Sequence, residues 1–216
     1  MKNMFKNDKP IESDSEDLLS RTEFASTLAS ALISYKDNSP LTIGLYGPWG
    51  SGKTSLVNLI INKVNGKAEV LTREEKPVIL RFDPWNFEST DQLIHQFFIR
   101  LADLLLSSAD KELAKVGNLL RDYDDDFQFI PVIGKSIGHM PKFIGTLLQK
   151  CTVHGVEINK QREQIIKKLK NQNHRNIITI DNIDRLTNDE IQLIFKLVSS
   201  VFNFPNIIFC CLLIKK

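Results

Sequence analysis

The sequence is poor in cysteine, in one-sided charge and in long apolar runs, and each shortage excludes something. Its three cysteines, Cys151, Cys210 and Cys211, are odd in number and two are adjacent. That argues against a disulfide framework and fits a reducing compartment. No CxxC occurs, and the four histidines, His95, His139, His154 and His174, are scattered. A zinc-type site is therefore not expected. With 28 Lys and Arg against 26 Asp and Glu, the net charge is +2. Such a balance neither demands nor excludes nucleic acid. The N-terminal MKNMFKNDKPIESDSEDLL has no apolar core of signal-peptide length, so secretion is not expected and the location read is cytoplasmic. The most apolar long stretch is FQFIPVIGKSIGHMPKFIGTLL, Phe127 to Leu148, and prolines, lysines and a histidine interrupt it. A spanning helix wants about 20 apolar residues. The stretch reads instead as an irregular hairpin or interfacial insert, which keeps peripheral membrane contact open.

What is present is an ordinary globular composition. Hydrophobic residues are 42% and charged residues 25% of 216, which suits one domain able to bury about 70% of its unfolded surface. The first ten residues are polar and expected to be mobile. Ser15 to Tyr35 reads as a helix with Ser15 as N-cap and Leu18, Leu19, Phe24, Leu28, Leu32 and Ile33 largely on one face. Strands are expected at Leu41–Gly47, Pro77–Trp85, Ile177–Ile180 and Ile207–Leu213. Helices are expected at Lys53–Val64, Asp91–Ser107, Asp110–Arg121, Val156–Lys170 and Asn188–Phe202. Strands alternating with helices, and apolar runs without polar alternation, predict a parallel sheet covered on both faces. Ligands of such sheets bind beyond the carboxyl ends of the strands.

One such end carries GPWGSGKT, which fits G-x-x-x-x-G-K-[ST] between a strand and a helix. Gly47, Gly50 and Gly52 let the backbone wrap closely, so that the loop Gly47, Pro48, Trp49, Gly50, Ser51, Gly52 turns its N–H groups inward. The following helix N-terminus adds positive partial charge. Lys53 suits the β- and γ-phosphates, and the Thr54 hydroxyl suits Mg²⁺. Ser55 opens the helix and is placed to hydrogen-bond the α-phosphate. A random chain of this length matches the pattern about 1% of the time.

A second end follows NIITI. Asp181 there can hold the Mg²⁺ shell opposite Thr54. The next residue is Asn182, a neutral amide that cannot take a proton from water as a carboxylate can, though it can position one. Two other acids compete for that work. Asp83 ends the strand after the phosphate-loop helix, at a place similar to that of the water-orienting glutamate of RecA-like and rotary ATPases. Its rival role is to start the turn at Pro84. Asp184 follows the Asp181 strand, and its rival roles are an ion pair with Arg185 or a helix start.

Taken together, DKPIESDSEDLLSRTEFASTLASAL, LTIGLYGPWGSGKTSL, RFDPWNFE and IITIDNIDRL resemble the KAP family of P-loop NTPases, from about Asp8 to the end of the chain. The tryptophan inside the phosphate loop, Trp49, and the one after the second strand, Trp85, carry much of the likeness. The resemblance implies a three-layer α/β fold with a mainly parallel sheet, of the additional-strand, RecA/AAA-like branch. It implies one domain over residues 1–216, incomplete at its C-terminus, with a variable insert at 108–155. It implies ATP with Mg²⁺ as cofactors, the DLLSR segment near the nucleotide base with Leu18 and Arg21 as contacts, and a link to phage defence. Many members attach to membranes through segments inserted between the two motifs. The family commonly has a second acid where Asn182 stands. The absence of an NKxD guanine-reading motif also favours ATP over GTP.

Three functions follow as expectations. The first is an ATP hydrolase or switch built on Lys53, Asp181 and either Asp83 or Asp184. The second is a nucleotide-gated scaffold that holds ATP with little turnover and recruits a protein partner or a second copy. The third is nucleic-acid binding through the basic residues Lys160, Lys167, Lys168, Lys170 and Arg175. A solvated helix face explains those residues better. The apolar IIFCCLLI near the end would make a poor free edge and is expected to be covered by pairing or a partner.

Overall fold

The structure is a computed structural model, and it describes residues 9–73, 75–87, 90–107, 111, 114–115, 117–118, 155–196, 198 and 204–214. The elements that frame the site are α1 (Thr22–Ser34), β1 (Leu41–Tyr46), α2 (Lys53–Ala68), β2 (Val78–Phe82), α3 (Thr90–Ser107), α4 (Gly155–Lys170), β3 (Asn176–Ile180), α5 (Asn188–Lys196) and β4 (Ile207–Leu213). The expected interfacial insert, the RDYDDD loop and most of the Asp110–Arg121 helix lie outside the described residues, as does the last part of the Asn188–Phe202 helix.

The four strands form one all-parallel sheet in the order β1-β4-β3-β2. The α/β class is therefore as expected. β4 lies between the phosphate-loop strand and the Asp181 strand, the separation that an additional-strand arrangement requires. Position explains composition. β3 is buried along its whole length and β4 along nearly all of it, whereas the edge strands β1 and β2 keep exposed positions. The apolar IIFCCLL segment is not a free edge: it pairs with β1 on one side and β3 on the other.

Successive side chains of a strand point to opposite faces, and two layers result. Ile177 and Ile208 face α1 and α2, where Ala25, Ala29, Leu32, Leu59, Ile60 and Val64 are buried. Ile178 and Phe209 face the other layer with Phe97, Leu101, Ile165 and Ile194 from α3, α4 and α5. Ile208→Val removes one methyl group at a fully buried position of β4. Stability should fall by roughly 0.5–1.5 kcal/mol, read as a lower urea midpoint with unchanged slope.

One helix expectation is corrected. The segment from Ser15 is not continuous: a 3-10 turn at Asp14–Glu16 is capped by Ser13, and α1 begins only at Thr22. Ser20 is left-handed at φ 55, which breaks the helix. The Asp17 carboxylate accepts from Thr22 N–H at 2.8 Å and from Thr22 Oγ1 at 2.7 Å, so it serves the start of α1 rather than the first turn of an earlier helix. These bonds, that of the Thr22 hydroxyl foremost, hold Asp17 below the usual carboxylate range. Leu18, Leu19 and Phe24 consequently lie exposed, not on a core face.

Burial in β4 pushes the Cys210 thiol up to about 12 and the Cys211 thiol up to about 11, from an ordinary 9.0. The unfolded thiols ionise first, so this contribution to stability is full below pH 9 and is lost as pH rises through the folded values. The urea midpoint should decline on the alkaline side, and less steeply in Cys210→Ala. An equal decline in that variant would contradict the assignment.

Candidate functional site

Every functional element sits at the carboxyl end of a strand. β1 hands the chain to the loop at Gly47, whose N–H donates to Leu213 O at 3.2 Å and ties the loop to β4. Gly50 and Gly52 have φ of 73° and 79°, a left-handed backbone that favours glycine. At Gly52 a side chain would also meet the Arg21 guanidinium, 2.8 Å from an added Cβ. α2 starts directly at Lys53, and the free N–H groups of its first turn lie next to the loop. Ser55 is therefore the third helical residue rather than the first. The Lys53 ammonium donates to Gly47 O and Pro48 O, each at 3.1 Å, closing the loop over itself.

Thr54 joins the two motifs across 127 residues of sequence: its Oγ1 donates to Asp181 Oδ2 at 2.8 Å. One hydroxyl and one carboxylate oxygen make a hard-oxygen pair that fits a small divalent cation whose other ligands are water and phosphate. Among the described residues no cluster of three His, Cys, Asp or Glu offers a fuller shell. Asp181 Oδ1 accepts from its neighbour's N–H, Asn182, at 2.7 Å.

Asn182 is left-handed at φ 54, a conformation asparagine tolerates better than most side chains. Its Nδ2 donates to Asp83 Oδ2 at 2.7 Å. Asp83 thus reaches the Asp181 turn from the end of β2. Its other oxygen accepts from Trp85 N–H at 3.1 Å, so the expected turn role is real as well. A cavity of about 190 Å³ opens here, and Thr54, Asp83 and Asp181 all line it. Asp184 stands apart, exposed on the 3-10 turn Ile183–Arg185. Among the described residues no ion pair joins it to Arg185.

The DLLSR segment divides. Arg21 Nη1 donates to Gly52 O at 3.2 Å, which places the guanidinium against the phosphate loop. Leu18 is 89% exposed and Trp49 76% exposed. Ser51 Oγ is buried with no hydrogen-bond partner.

Sequence reading missed two features. The first is a strap, because residues before Ser15 carry no periodic signal. Ile11 N–H donates to Ser55 Oγ at 3.2 Å, and Asn58 Nδ2 donates to Ile11 O at 2.9 Å. Asn62 then donates to Glu12 O, and Lys63 pairs with Asp14. Polar residues one turn apart along α2 thereby bind the strap and occupy Ser55. The second is the polar wall of the cavity, Asn58, Arg81 and Arg100. Arg81 interrupting VILRF was the one signal available.

The family description "KAP family P-loop domain" matches residues 21–213, which contain all of the site except the strap and Leu18. The Phage T7 exclusion protein of Escherichia coli (strain K12) is 22% identical over 222 residues, an alignment covering 92% of this chain and 29% of that protein. The chain therefore spans less than a third of the length of this relative.

Proposed function

Because the chain belongs to the KAP family of P-loop domains, a membership that implies nucleotide binding, we propose that it is a Mg²⁺-dependent ATP hydrolase with Asp83 as its base. The observation that carries this reading is the convergence of Thr54, Asp181 and Asp83 on one cavity, with Asp83 held by Asn182 at 2.7 Å.

In this reading the loop N–H groups and the N-terminus of α2 hold the phosphates. Lys53 leaves its two loop carbonyls for the β- and γ-phosphate oxygens. Arg21, whose Nη1 meets Gly52 O at 3.2 Å, would contact the nucleotide beyond its phosphates. Thr54 and Asp181 would hold Mg²⁺, which neutralises charge on the phosphate oxygens when bound. Asp83 takes a proton from a water as that water's oxygen bonds to the γ-phosphorus. The bond from γ-phosphorus to the bridging oxygen breaks, giving ADP and inorganic phosphate. Asn182 keeps the carboxylate aimed, so the amide next to Asp181 positions the base instead of being one. Steady-state phosphate release with Mg²⁺ and with excess chelator tests the proposal. Release only with the metal is expected; equal release under chelation rejects it.

A second reading is a nucleotide-gated scaffold with little turnover, whose partner or second copy reads the bound state. The neutral Asn182 beside Asp181 favours it, and measurable turnover by this chain rejects it. For a biological setting we propose phage exclusion, from the name of the relative. Plaque counts on cells expressing the chain or Lys53→Ala should differ; equal counts reject this setting.

A further inference from the structure

We propose that Arg100, on α3, reads the terminal phosphate of the bound nucleotide. The inference rests on the nucleotide reading above and adds a residue that neither motif contains.

The cavity beside Thr54 and Asp181 measures about 190 Å³, room for several waters at roughly 30 Å³ each or for a phosphoryl group with its attacking water. Two of its walls are acidic, Asp83 and Asp181, and two are cationic, Arg81 and Arg100. Bringing a polyanion against two carboxylates needs compensating cations, of which Mg²⁺ held by Thr54 and Asp181 would be one. Lys53 supplies another from the loop side.

The two arginines are not equivalent. Arg81 is committed, its Nη1 donating to Asn58 Oδ1 at 2.7 Å. Arg100 is half-buried, with its guanidinium 5.2 Å above the centre of the Phe87 ring. No ion pair joins it to Asp83 or Asp181 among the described residues. A guanidinium held over a ring by cation–π attraction spends none of its N–H donors on a carboxylate, so they remain available to a bidentate anion. The platform beneath is fixed: Phe87 stacks on Phe82 at 5.6 Å, and Phe82 meets Phe97 edge-on at 5.2 Å. Phe82 and Phe97 are buried in the core. A cation held this way lines the cavity beside Thr54 and Asp181 without being neutralised beforehand.

A terminal-phosphate reader separates ATP from ADP, whereas a structural arginine does not. Affinities for Mg·ATP and Mg·ADP should be measured on the wild type, Arg100→Gln and Arg100→Lys. Arg100→Gln should weaken Mg·ATP by about 10- to 100-fold, the scale of a lost charge-assisted hydrogen-bond pair. Mg·ADP should change by less than about 3-fold, one phosphate-specific contact being removed. Arg100→Lys should recover part of the loss, and Phe87→Leu should cause a smaller loss of the same kind. Equal weakening of both nucleotides, or of neither, overturns the proposal. If Arg100→Gln does not fold, the ATP-to-ADP ratios of Arg100→Lys and Phe87→Leu decide. If the wild type binds neither nucleotide, the nucleotide reading itself falls. If it binds both and the variants keep its ratio, only the role of Arg100 falls.

Discussion

Replacing Lys53 by alanine is expected to remove nucleotide binding while leaving the fold in place. The ammonium is half-buried and donates two hydrogen bonds, both to backbone oxygens of its own loop. In the proposed nucleotide complex those donors would turn to phosphate oxygens. A hydrogen bond to a charged group contributes about 1.5–3 kcal/mol, so losing two weakens Mg·ATP by roughly 10²- to 10⁴-fold. Stability should move little, because Gly47 O and Pro48 O lie where water can replace the ammonium. Trp49 lies inside the loop and is 76% exposed, so binding is expected to change its fluorescence over the background of Trp85. Unchanged affinity in the variant would reject the assigned site.

Substituting Asp83 by asparagine should give the largest effect on turnover, a fall of about 10²- to 10⁴-fold, as for loss of a general base. Binding should stay within a few-fold of wild type. The exchange is isosteric, but the two partners of Asp83 sit on different oxygens, so the new amide keeps one acceptor and turns its NH₂ toward the other donor. The size and position of the side chain are kept, while the basicity and one of its two hydrogen bonds are lost. Asp184→Asn is the paired control. Asp184 is exposed and does not line the cavity, so turnover should change by less than a factor of two or so. If Asp184→Asn abolishes phosphate release and Asp83→Asn does not, the assignment of the base is reversed. Asn182→Ala should fall between them, since it loses the tether and not the carboxylate.

How much of this was legible in the sequence depended on whether the cause was local. The phosphate loop was legible because its backbone demands are written in its own residues: Gly50 and Gly52 are left-handed, and α2 starts where the pattern says. The buried strands were legible because Ile177–Ile180 and Ile207–Leu213 have no polar alternation, and both lie in the middle of the sheet. The start of α1 was not legible. Leu18 and Leu19 suit a helix by spacing, but the bonds of Asp17 to Thr22 and the left-handed Ser20 outweigh that pattern. The strap escaped because its order comes from Ser55, Asn58, Asn62 and Lys63, more than 40 residues away. Asn182 posed the chief question in sequence, and its hydrogen-bond partner, Asp83, lies 99 residues away. Only the folded sheet, which sets β2 beside β3, brings them together.

The most direct test of the hydrolytic account is single-turnover phosphate release from Mg·ATP by the wild-type chain and by Asp83→Asn, with Lys53→Ala as the blank. Phosphate should appear above the blank with the wild type and fall close to the blank with Asp83→Asn, while both proteins bind the nucleotide. Binding without phosphate release in the wild type, or release that survives in Asp83→Asn, would contradict it.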